Sequence, residues 1–175
     1  MAVTEQILRV APEGLPPIEV IYAPTRESQR WHQNWITGTE PTARGVSVFK
    51  GASARLPIYR WTINTKIPYW KALRLDRLNR LSQTRLGANL LDGLITLTDQ
   101  CWLVDSASAT QAGRTIVQTL ELRDDLNVLI ETGSYCSFKV ELILPNGFLD
   151  LAQGSASTAE DLNRIVTVNF ELKEV

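Results

Sequence analysis

The strongest constraint on the fold is the alternation that closes the chain. In "RIVTVNFELKEV" (residues 164–175), Val166, Val168, Phe170 and Leu172 alternate with Thr167, Asn169, Glu171 and Lys173. Successive side chains of a strand point to opposite faces, so this period of two predicts a β-strand with one face in a core. A slip of one residue would exchange the faces, which sets the register. Each edge of a strand carries backbone donors and acceptors, so the segment must find partners. The expected partner is 136–144, where Cys136, Phe138, Val140, Leu142 and Leu144 alternate with Ser137, Lys139 and Glu141.

The same period recurs along the chain. Residues 6–10 and 18–23 are short strand candidates joined by the turn-rich "APEGLPP". In 54–67, Tyr59, Trp61 and Ile63 share one face, and large aromatics suit a pleated core surface. Residues 92–99 and 100–105 read as strands. So does 114–123, where Ile116, Gln118, Leu120 and Leu122 oppose Val117, Thr119 and Glu121. Residues 124–131 read as a turn and a short strand, and Asn146-Gly147 as a further turn. One stretch changes period. After Pro68, Leu75, Leu78 and Leu81 can share a helical face, Asp76 and Arg80 form an i,i+4 pair, and Gly87 supplies a stop. This predicts a helix at about 69–83. The sum is a mainly β protein with one principal helix (α+β): an antiparallel β-sandwich or curled barrel packed by that helix, with loop and arm extensions. The 175 residues suit a single domain, with N-terminal strands and an extended arm in 1–53 and the β-sandwich in 54–175.

Three segments are polar and lack a sustained period. Residues 24–45 read as a long loop or arm that carries Trp31 and Trp35; "SASATQAG" (106–113) reads as a mobile loop, and 155–163 is similar. Segments without periodic apolar residues cannot bury a face of their own core. Residues 24–45 and 106–113 are therefore expected to contact neighbouring subunits, through Trp31, Trp35, Ser106, Ala107, Ser108, Ala109, Thr110 and Gln111. The two tryptophans also allow an alternative, a carbohydrate-binding β-sandwich module that stacks sugars on Trp31 and Trp35.

Residues of catalytic type form no pattern. His32 is the only histidine and sits in the polar arm. Cys101 and Cys136 lie in apolar stretches without a CxxC partner, which predicts buried free thiols rather than a zinc site. Asp124-Asp125 precedes an apparent turn, and the sequence has no glycine-rich phosphate loop. Lys71, Arg74, Arg77, Arg80 and Arg85 spread over about half the helix circumference, as a solvated face or one that meets a neighbour's acids. A net charge of −1 gives no electrostatic footprint for nucleic acid. The expectation is a non-enzymatic protein with no catalytic residue, cofactor or metal. Its start lacks the basic and apolar regions of a signal peptide and no apolar run reaches membrane-spanning length, so folding in a reducing cytosol is expected.

Taken together, the N-terminal strand, the long arm, the aromatic strand followed by a helix, "GLITLTD", the alternating strands split by small polar loops, and the closing "VTVNFELKEV" resemble the tail-tube fold of bacteriophage tail proteins. That group includes tube subunits, distal tail proteins, tail terminators and minor tail or tail-tip proteins. The resemblance covers roughly residues 54–175. It implies a structural virion protein, assembled in the host cytoplasm, whose copies form a ring. It further implies contacts with other tail proteins and a lumen through which the genome passes.

Overall fold

The computed structural model describes residues 5–33, 38–41, 47–50, 58–151 and 159–175. In chain order the elements are β1 (Gln6–Val10), β2 (Ile18–Tyr22), β3 (Gln29–Gln33), β4 (Gly38–Pro41), β5 (Ser47–Lys50), β6 (Ile58–Pro68) and helix α1 (Tyr69–Gly87). A 3-10 turn (Leu91–Gly93) leads into β7 (Ile95–Asp105), α2 (Ser106–Gln111), β8 (Thr115–Arg123), β9 (Leu129–Ile143), α3 (Phe148–Leu151), α4 (Ala159–Asn163) and β10 (Ile165–Glu174). The protein is thus mainly β with one principal helix and short accessory ones.

One large antiparallel sheet runs β2-β1-β7-β9-β10-β6-β3, with β8 added to β9. β4 and β5 pair with each other as a separate hairpin. The large sheet curls back on itself. Leaving β2, the chain meets β6: Pro24 bridges Thr65, the Thr25 N–H donates to the Asn64 carbonyl at 2.8 Å, and the Thr65 hydroxyl donates to the Ala23 carbonyl at 2.7 Å. Tyr22 of β2 lies edge-on to Phe170 of β10, with ring centroids 5.3 Å apart. Distant members of the strand order therefore face each other across one interior.

The closing strand fills that interior as its alternation predicts. Val166, Val168, Phe170 and Leu172 are buried, whereas Thr167, Asn169 and Glu171 face outward. β10 pairs with β9 over Glu171–Glu174, the expected partner, and with β6 over the longer span Ile165–Lys173. It is an internal strand.

α1 packs Tyr69, Ala72, Leu75 and Leu78 into the core and runs one turn beyond the expected 69–83. Its C-terminal end is tied down by the 3-10 turn. Arg85 pairs with Asp92, the Ser82 hydroxyl donates to the Gly93 carbonyl at 2.7 Å, and Asp92 also accepts the Glu13 N–H at 2.9 Å. Gly93 is needed there: a Cβ would lie 2.5 Å from the Arg85 Cβ.

Four segments differ from expectation. Residues 106–113 are not a loop without anchors: they open with α2, whose N-terminus is capped by Asp105 accepting the Ser108 N–H at 2.7 Å, and Ala109 is fully buried. A helix with a single small anchor leaves no apolar periodicity to read. Residues 24–45 are not simply an arm, because they contain β3, which pairs with β6 through backbone groups, and β4. Residues 129–143 form one long strand rather than two short ones. β7 likewise merges 95–105 across a bulge between Asp99 and Val104. The Asp99 carboxylate holds that bulge by accepting the Cys101 N–H at 2.9 Å and the Trp102 N–H at 3.3 Å.

Candidate assembly surface

β8 and the first part of β9 form a hairpin on which apolar residues stay in solvent. β8 pairs with β9 alone among the described strands, so its other edge is open. Ile116, Val117, Leu122, Leu126, Val128, Leu129 and Ile130 are all exposed, Leu126 at 83% and Ile130 at 68%. Single exposed apolar residues are ordinary, but several on one hairpin with an open edge mark an interaction surface. The turn is well formed. One Asp124 oxygen accepts the N–H groups of Leu126 at 3.0 Å and Val128 at 2.8 Å, and Asn127 takes a left-handed φ of 62°. This confirms Asp124-Asp125 as turn residues. Arg123 is drawn to Glu121 and to the Asn127 carbonyl, while Asp125 and Glu131 project into solvent.

α2 braces the root of this hairpin. The Ser106 hydroxyl donates to the Thr132 carbonyl at 2.8 Å and lies 2.6 Å from the Ser134 hydroxyl, which in turn is 3.2 Å from that of Thr119. Of the candidate interface residues, Ala109 belongs to the core and Ser106 to this brace, whereas Ala107, Thr110 and Gln111 are exposed. Trp31 lies on β3 opposite Arg60 and is 42% exposed. Trp35 lies outside the described residues.

A second surface lies between α1 and the β1–β2 loop. Pro16, Pro17, Ile18, Trp70, Leu73, Arg74 and Arg77 line a depression of about 420 Å³. A neighbouring one of about 490 Å³ shares Pro16, Ile18 and Arg77 and adds Leu15, Arg80, Leu81 and Thr84. The basic stripe divides here by partner. Lys71 donates to the Ile21 carbonyl, Arg80 pairs with Asp76 and Arg85 with Asp92. Among the described residues, Arg74 and Arg77 are exposed without an acid beside them. Trp70 is a half-exposed wall of this groove, with the Lys71 ammonium 5.6 Å from its ring centroid.

Inside the curled sheet lies a polar cluster that the sequence did not announce. Asp99, fully buried, accepts the Trp61 indole N–H at 3.0 Å and lies 3.8 Å from the Arg30 guanidinium. Arg30 also donates to the carbonyls of Trp102 at 3.1 Å and Leu103 at 2.5 Å and stacks 4.6 Å from the Tyr59 ring centroid. Arg114 reaches the same ring at 4.8 Å and grips Glu174 through two hydrogen bonds of 2.7 and 2.9 Å. Cross-strand register sets Tyr22, Gln6, Asp99 and Cys136 side by side on β2, β1, β7 and β9. Burial, with Asp99 and Glu5 adding to it, pushes the Cys101 thiol up to about 12. Burial likewise raises the Cys136 thiol, and raises the Tyr22 phenol well above its ordinary value. Both thiols are free and neutral at pH 7, Cys136 buried as expected and Cys101 half-buried. Neutral thiols are poor nucleophiles; the hydrogen bonds of this cluster tie β3 to the bulge of β7 through Arg30, and β10 to Arg114 and the Tyr59 N–H through Glu174.

Among the described residues, no group of three or more His, Cys, Asp and Glu side chains could hold a metal ion. No described helix is long and apolar enough to cross a membrane. His32 lies on β3 opposite Tyr59. Compared with known proteins, the chain matches no family model, no curated protein and no solved structure.

Proposed function

We propose that this protein is a structural subunit that assembles with copies of itself into a ring, as a component of a phage tail or related injection machine. The observation that carries the reading is the β8–β9 hairpin, which presents an edge unpaired among the described strands and seven exposed apolar residues. In water that surface is unfavourable at about 25 cal/mol per Å² of apolar area, so burying it against another chain drives association. Its root is held rigidly by α2, and a rigid surface loses little entropy on binding. The assignment to a tail rests on the tail-tube resemblance of the strand pattern. On that reading the subunit is a tube, terminator or tail-tip component of the virion, it contacts other tail proteins, and its ring bounds a lumen for the genome. The test is native mass spectrometry and sedimentation of the intact chain across a concentration series. A closed, ring-sized species is expected. A monomer at every concentration, with sugar binding that depends on Trp31, would replace this reading with the carbohydrate-binding one.

A further inference from the structure

We infer that the β8–β9 turn of one copy seats in the groove between α1 and the β1–β2 loop of the next, joining subunits head to tail. This inference rests on the self-assembly reading and names the two surfaces that carry it. The turn offers Leu126, Val128 and Ile130, all largely exposed. The groove offers an apolar floor and walls from Pro16, Ile18, Trp70 and Leu73. The charges are complementary. Between residues 121 and 131 the hairpin carries Glu121, Asp124, Asp125 and Glu131 against a single arginine, Arg123. Glu121 is occupied by Arg123 and Asp124 by the turn, which leaves Asp125 and Glu131 to meet a partner. On the groove, Asp76 occupies Arg80, which leaves Arg74 and Arg77. A guanidinium binds a carboxylate through two parallel hydrogen bonds, and Trp and Arg are the residue types that most often anchor interfaces.

The same charges choose between symmetries. A two-fold contact of hairpin on hairpin would bring the acids of both copies together, and like charges across an interface are repulsive. Hairpin in groove pairs unlike surfaces, so two copies joined head to tail keep one groove and one hairpin between them for further copies. Such a contact propagates, closing into a ring when the rotation permits and otherwise giving a filament.

The test is charge reversal on each side, followed by their combination, in the intact chain. Arg74→Glu with Arg77→Glu should weaken self-association about tenfold or more by sedimentation, as should Asp125→Lys with Glu131→Lys. The four substitutions combined should restore association to near the wild-type level. All six positions substituted in this and the control variant are on the surface. The control, Leu126→Asp with Ile130→Asp, should abolish assembly with an unchanged circular dichroism spectrum. If wild-type protein assembles while the arginine variant assembles equally well, or if the combined variant is not rescued, the groove is not the acceptor although self-assembly stands. If wild-type protein is monomeric throughout, both the inference and the reading beneath it fall.

Discussion

The body of the curled sheet and the β8–β9 hairpin have the same sequence grammar and opposite fates. In β10, alternation places Val166, Val168, Phe170 and Leu172 in the core. In β8, an alternation interrupted by a bulge between Ile116 and Gln118 leaves Ile116, Val117 and Leu122 in solvent. The difference lies in what stands opposite. β10 is flanked by β6 and β9 and covered by the curl of the sheet, whereas β8 has β9 on one edge and nothing on the other among the described strands. A period of two says that a segment is a strand and that one face is apolar; it does not say which molecule buries that face.

The comparison breaks first if the body does not behave as a core. Asp99→Ala would strand the partly buried Arg30 and remove the acceptor of the Trp61 indole and of two bulge N–H groups. Breaking such a pair costs about 3–5 kcal/mol. Phe170→Ala, by emptying an aromatic site, should cost about as much. Both are measured by denaturant midpoints, and a loss below about 1 kcal/mol for either would show that the interior is loosely packed. On the hairpin the expectation inverts. Val128→Asp should change stability by no more than about 0.5 kcal/mol and sharply reduce association. A stability loss as large as that of Phe170→Ala would place Val128 in a core of its own chain.

Next in size is the response to base. The Cys101 thiol ordinarily ionises near 9.0 but is held up to about 12 in the fold, and the Tyr22 phenol is also raised. A group whose folded pKa lies above its unfolded value contributes stability that is fully present below the unfolded value. That stability is lost as pH rises from about 9 toward 12. Thermal melts in this window should fall steeply, and Cys101→Ala should flatten the fall; an identical slope would assign it to other groups.

The acid response is smaller. Asp92 is held below its ordinary 3.8, chiefly by the Arg85 hydrogen bond, and Asp105 below 3.8, chiefly by Ser108. Depressed carboxylates stabilise above the ordinary value, and that stability is lost as pH drops below about 4. Asp105→Asn should weaken this loss. The measurement is the melting temperature from pH 5 to 2. Because α2 braces the hairpin root, this variant should affect assembly more than the body. Smallest is Trp31→Ala, which on an exposed face should leave stability nearly unchanged. A measurable loss of association, up to about 2 kcal/mol, would add β3 to the interface.

The comparison also explains what the sequence disclosed. Strand periods and the helix were legible because apolar side chains repeat at the spacing of the element. The partner of β10 was half legible: 136–144 was identified by its pattern, while β6 pairs over a longer span. α2 was missed because Ala109 is its only deeply buried side chain, and β3 because an edge strand is held by its backbone. The Arg30–Asp99 contact joins residues far apart in sequence, so no local spacing signals it. For the candidate surface, the basic helix stripe was visible, but only structure separates Arg74 and Arg77 from the neighbours already paired. The exposed tip was hidden because the apolar run Val128-Leu129-Ile130 reads as a short strand whichever molecule covers it.

The central claim, that the hairpin's exposed apolar residues are buried by another copy rather than by their own chain, is tested most directly by hydrogen exchange on residues 115–131 as a function of protein concentration. The account predicts rapid exchange in dilute protein and strong protection once assembly begins, while β10 stays protected throughout. Equal protection of the hairpin at all concentrations, or exchange that stays fast in assembled protein, would contradict it.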